Sequence, residues 1–113
     1  MEYEYRGEVD ENGLPHGKGV EYDEYGDVYD GEFAHGKREG MGREYDEYGK
    51  VCYHGAWKNG ERNGNGTEYI CGQMVYDGEW KDGRANGFGR SFDAEGEILY
   101  EGLWENDEPK EKE

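Results

Sequence analysis

One short motif returns about every 24 residues, and it decides most of what this chain is able to fold into. A tyrosine two residues before a glycine recurs at Tyr5, Tyr29, Tyr53, Tyr76 and Tyr100, with spacings of 24, 24, 23 and 24. Two residues after that glycine stands a bulky apolar residue: Val9, Phe33, Trp57, Trp80 and Trp104. Three glycines follow in fixed phase, as in Gly36, Gly40, Gly42 and in Gly60, Gly64, Gly66. Next come an aromatic (Tyr22, Tyr45, Tyr69, Phe92) and a closing glycine (Gly26, Gly49, Gly72, Gly96). Repeats of this length are single supersecondary units that bury a continuous face only by stacking. The units run 5–28, 29–52, 53–75 and 76–99, with a partial fifth at 100–106 and a charged tail at 107–113.

Within a unit the pattern has period two. Tyr53, Gly55 and Trp57 fall on one face, His54, Ala56 and Lys58 on the other, as in a strand with one packed side. Asn59-Gly60 and Asp82-Gly83 are hairpin turn signals, because both dipeptides accept the positive φ such turns need. His35-Gly36 and Asn12-Gly13 hold the same place, although the first unit carries one extra residue there. Glycine weakens a strand, so Gly55, Gly64 and Gly66 are expected to let a ring approach the backbone closely. Each unit is therefore one β-hairpin, and one hairpin is not stable alone. The expected fold is all-β: an open, curved, single-layer antiparallel sheet of stacked hairpins. At ~4.8 Å per strand, nine or ten strands give a rod of roughly 45 Å.

Composition matters for what it opposes. Val, Ile, Leu and Phe number only 13 of 113 residues and the net charge is −16, a balance typical of disorder. Against that stand 11 Tyr and 3 Trp in regular phase, which supply apolar bulk with polar handles. The acidic balance opposes direct binding to nucleic acid and to anionic membrane surfaces. No apolar run is long enough to span a bilayer. Cys52 and Cys71 fit a reduced, cytoplasmic chain.

Catalytic chemistry finds little support. Ser91 and Thr67 are the single serine and threonine, and both lie in return strands with no nucleophile context. Cys52 takes a place held by Val28, Val75 and Leu99 in sister units. His16, His35 and His54 each replace an ordinary polar residue, so no shared metal site is expected. The stretch "NGERNGNG" is followed by a strand, not by the helix a phosphate loop requires. No enzyme, cofactor or metal is expected.

The segments "YRGEV", "YDGEF", "YHGAW", "YDGEW" and "YEGLW", followed by "GKREGMG", "NGERNGNG" and "DGRANGFG", resemble the MORN repeat family (membrane occupation and recognition nexus). The linking phrases "EYDEYGDVY" and "EYDEYGKVCY" resemble the bacterial form of the repeat, which is similar also to antitoxin-type repeat proteins. The resemblance implies an open sheet of hairpins and a binding role, not catalysis.

Two surfaces are candidates. The first is the aromatic face of Tyr29, Phe33, Tyr53, Trp57, Tyr76, Trp80, Tyr100 and Trp104. In a single layer, part of it is expected to stay open and to receive a helix or extended peptide on its concave side. The second is an acidic edge at the linking turns: Asp23, Glu24, Asp46, Glu47, Asp93 and Glu95. Basic residues gather at the opposite turns, at Lys37, Arg38, Lys58, Arg62, Lys81 and Arg84. These features suit a protein partner, cationic where it meets the acidic edge. The alternatives are an antitoxin or counter-defence inhibitor of a cationic, nucleic-acid-processing enzyme, and a lipid binder at a membrane surface. The incomplete fifth unit offers a strand edge for a homodimer.

Overall fold

The computed structural model describes residues 3–110. Ten strands run in chain order: β1 Glu4–Val9, β2 Pro15–Asp23, β3 Gly26–Ala34, β4 Lys37–Tyr45, β5 Val51–Lys58, β6 Glu61–Ile70, β7 Gln73–Lys81, β8 Arg84–Phe92, β9 Ile98–Glu105 and β10 Glu108–Pro109. They form one antiparallel sheet in which every strand pairs only with its sequence neighbours. The sheet is open, since β1 and β10 are its two edges. Its long dimension is 53 Å. The described residues form no helix.

The turns follow from φ. Asn59 and Gly60 sit at 52° and 86°, and Asp82 and Gly83 at 51° and 85°. Two consecutive positive φ values define the tight hairpin turn whose twist suits paired strands. The first unit differs because of its extra residue. There Asp10 accepts the amides of Asn12 and Leu14 on its carboxylate, which closes a longer loop. The linking turns at Asp46 and Asp93 use the same device.

Hairpins are tied as well as paired. The amide of Gly60 donates to the carbonyl of Arg38 at 2.9 Å, and that of Gly83 to Arg62 at 2.9 Å. One residue earlier, the Asn59 amide donates to Glu39 and the Asp82 amide to Asn63. His16 does this for the first unit, accepting the His35 amide on Nδ1 at 3.1 Å. That shared duty explains why His16, Glu39, Asn63 and Asn86 occupy one position of the repeat.

Two expectations need correction. Gly64 does not make room for a ring: its φ is 94°, and the nearest group to a Cβ there would be Ala56. The rings lie over the neighbouring glycine row, where a Cβ on Gly66 would fall 2.1 Å from the Tyr53 hydroxyl. The fifth unit also goes beyond one strand. Asn106 and Asp107 take φ of 50° and 73°, and Glu108–Pro109 returns against Glu105 and Trp104. Asp107 thus does a glycine's work, and β10 covers the Trp104–Glu105 end of β9. Residues 111–113 of the expected tail lie outside the described residues.

Candidate binding surface

The aromatic face is built by alternation. Tyr53 and Trp57 lie two pleats apart on β5, with ring centroids 5.3 Å apart at 85°. Tyr29, Tyr53 and Tyr76 also meet the Trp of the next unit edge to face, Tyr29 with Trp57 at 5.2 Å and Tyr53 with Trp80 at 5.3 Å. The rings form one continuous zipper from Tyr5 to Trp104. Edge-to-face contacts of this kind match a positive ring edge to a negative face.

Polar handles are satisfied. The Tyr29, Tyr53 and Tyr76 hydroxyls donate to the carbonyls of Glu32, Ala56 and Glu79 at 2.8–2.9 Å. The indole N–H groups of Trp57, Trp80 and Trp104 donate to the carbonyls of Gly42, Gly66 and Gly89. Burial pushes the Tyr53 and Tyr76 phenols up to about 12 and that of Tyr29 higher still, because a phenolate there would lose its water.

This packing changes the status of the predicted face. Tyr29 and Tyr53 are 0% exposed and the other buried rings, Trp104 included, reach at most 9%. Of the eight aromatics only Tyr100, in the last unit, is half-exposed. The expectation of an open aromatic surface is therefore corrected for the other seven: lateral contact between units covers what one strand leaves bare.

Two arginines complete the cover, which corrects their expected place among the turn charges. The Arg38 guanidinium lies over Tyr29 and Trp57, at 4.6 and 5.0 Å from their centroids. Arg62 lies over Tyr53 and Trp80 at 4.5 and 5.0 Å. Carboxylates clamp both. Arg38 binds Glu21 at 2.9 Å, and Arg62 binds Glu44 at 2.9 Å and Glu68 at 3.3 Å. Burial pulls the Arg62 pKa down, but Glu44 and Glu68 outweigh it and the net shift is upward. The signal was present in the sequence. Arg38 and Arg62 recur in phase with Glu21, Glu44 and Glu68.

At the linking turns the six acidic candidates divide. Asp23, Asp46 and Asp93 commit their carboxylates to turn amides and are half-buried. Glu24, Glu47 and Glu95 are exposed. Beside them stand Tyr25 and Tyr48, each 76% exposed. A hollow of about 190 Å³ is lined there by Tyr3, Tyr25, Asp27, Tyr45, Asp46 and Glu47 among others. On the opposite edge Lys37, Lys58, Lys81 and Arg84 are exposed. A family model described as the MORN repeat matches residues 5–27, 29–47, 53–72 and 76–96. The chain belongs to the MORN repeat family. No curated protein matches it.

MORN repeats are in general protein- or membrane-interaction modules rather than enzymes. Of the residues weighed for catalysis or metal binding, Thr67, His16 and His35 make hydrogen bonds within these repeats. Thr67 donates to Asp77 at 2.9 Å. Burial pushes the Cys52 thiol up to about 11, which keeps it protonated and a poor nucleophile. Cys52 and Cys71 are free thiols. Asp10, His16 and His35 do come together, with one ligand atom from each within 4.8 Å of the others, a grouping that the sequence does not announce. Their atoms already have partners: His16 Nδ1 takes an amide and Asp10 pairs with His35 at 2.8 Å.

Proposed function

We propose that this chain is a non-catalytic interaction module that takes a cationic protein segment along its acidic, tyrosine-bearing edge. The observation that carries this reading is the exposure of Tyr25 and Tyr48, 76% each, among carboxylates. A tyrosine placed so far into water contributes little to folding. Next to Glu24 and Glu47 it offers a cation both a ring face and a counter-charge. The aromatic row of Tyr29 to Trp104 then acts as the frame that holds this edge straight.

The test is binding of a fluorescent lysine- and arginine-rich peptide, followed by anisotropy. The double variant Tyr25→Ala, Tyr48→Ala is expected to weaken binding about tenfold with unchanged circular dichroism. Unchanged affinity sinks the edge reading. A second reading draws on the net charge of −16: inhibition of a cationic, nucleic-acid-processing enzyme by acidic mimicry, as an antitoxin would act. It differs in depending on charge alone. Glu24→Gln, Glu47→Gln, Glu95→Gln would abolish binding while the tyrosine variant leaves it intact. The same charge opposes the lipid reading on anionic membranes.

A further inference from the structure

The repeat carries an arginine lid in its second and third units, while Pro15 holds that place in the first and Ala85 in the fourth. Arg38 pairs across its hairpin with Phe33, Arg62 with Trp57, and Ala85 with Trp80. These three residues hold one position of the unit, and all three give their carbonyl to the turn of the next hairpin. Over the Tyr76–Trp104 pair there is thus a methyl group where the two preceding pairs carry a guanidinium. Tyr76 and Trp104 keep the geometry of the capped pairs, with centroids 5.0 Å apart at 85°, against 5.2 Å at 85° for Tyr29 and Trp57. Tyr76 is 4% exposed where the capped Tyr29 and Tyr53 are 0%. Above it lies a cavity of about 360 Å³ lined by Tyr76, Ala85, Trp104, Glu68 and Asp107 among others, with Arg62 on its wall held by Glu44 and Glu68.

The carboxylates of a lid site are also in place. Glu44 serves two guanidiniums, lying 2.9 Å from Arg62 and 3.9 Å from Arg38. Glu68 is its counterpart one unit on, and only Arg62 contacts it, at 3.3 Å. Ser91 stands opposite Tyr76 as Glu44 and Glu68 stand opposite Tyr29 and Tyr53, so one carboxylate is lost there. Asp107 replaces it. One of its oxygens accepts the Ala85 amide at 2.8 Å, which leaves the other for a ligand.

We infer that the Tyr76–Trp104 cage binds the guanidinium of an arginine side chain supplied by a partner protein. It rests on the reading above only in taking the partner to be cationic. Arginine fits better than lysine because its flat head stacks on a ring while its N–H groups reach two carboxylates. The molecule itself displays the bound form twice, at Arg38 and Arg62.

The experiment titrates acetyl-Gly-Arg-Gly-amide into the full chain and follows the indole N–H resonances of Trp57, Trp80 and Trp104. Trp104 is expected to shift saturably, Trp57 to stay still, and the lysine peptide to bind at least fivefold more weakly. Ala85→Arg fills the cage from within, so it should abolish the Trp104 response. Its backbone already suits arginine, as β4 and β6 show. Arg62→Ala opens the equivalent cage and should extend the response to Trp80. Equal shifts at all three indoles, equal response to lysine, or a response that survives Ala85→Arg overturns the assignment. Tyr25→Ala, Tyr48→Ala should leave the Trp104 shift unchanged. The edge reading is judged on the polybasic peptide, so either idea fails without taking the other with it.

Discussion

The middle of this sheet and its two ends are written in the same motif yet packed very differently. In the middle, Tyr29 and Tyr53 are fully buried. Each touches two rings and lies under an arginine. At the ends Tyr5 and Tyr100 are only half-covered. Val9, which replaces the aromatic in the first unit, is 53% exposed. The same residue type thus owes its burial to its neighbours and not to its own hairpin. Stability in such a stack is close to a sum of unit and interface contributions, and the end units have one interface each.

Substitutions at matched positions test that contrast. The largest effect is expected at the ring cradle. Gly66→Ala puts a methyl 2.1 Å from the Tyr53 hydroxyl and 2.3 Å from its ring. That ring is hemmed in by Trp57, Trp80 and Arg62, so the methyl should unfold the chain or lower its denaturant midpoint severely. Gly13→Ala meets nothing within 4 Å, and its cost should be the strain of its positive φ, about 1 kcal/mol. Next, Tyr53→Ala should cost about 3–5 kcal/mol as a buried aromatic deletion. Tyr5→Ala should cost less than half of that in the same urea titration. If the two are equal, burial does not come from neighbours as argued.

A smaller difference separates the ion pairs. Arg62→Ala removes a lid and strands Glu68, which only Arg62 contacts, and should cost about 2 kcal/mol. Arg90→Ala breaks the more exposed pair with Glu101 and should cost under about 1 kcal/mol. The mildest probe is pH. The Tyr53 and Tyr76 phenols are raised in the fold from 10 to about 12, by burial first. A raised folded pKa means the fold holds its proton more tightly than the unfolded chain does. Their contribution is complete below pH 10 and is lost as pH climbs through about 12. The rise in phenolate absorbance from Tyr53 and Tyr76 should coincide with loss of the near-ultraviolet dichroism of the core.

Much of this architecture is legible in the sequence. The 24-residue phase, the alternation at Tyr53 to Lys58 and the Asn-Gly and Asp-Gly turns are local signals, and local signals survive into the structure. What is illegible depends on contacts between units. Nothing along β5 says that Trp57 closes over Tyr29 of the preceding hairpin, so the face reads as open. Arg38 and Arg62 read as solvated turn charges because a guanidinium inside a core is unusual without carboxylates beside it. Those carboxylates, Glu21, Glu44 and Glu68, lie on the previous or same return strand, 6 to 18 residues away. Asp107 does not read as a turn residue because non-glycine residues seldom hold a φ of 73°.

The last two residues of the sheet have a bearing on the fate of many copies together. A single-layer sheet of identical hairpins has no internal reason to stop, and an unpaired edge invites the next chain to extend it. Here the two-residue β10, Glu108–Pro109, covers the Trp104–Glu105 end of β9. Proline lacks the N–H that a newcomer would need, and Glu108 adds a charge to the strip. At that end of β9 the short strand therefore blunts pairing with a further chain.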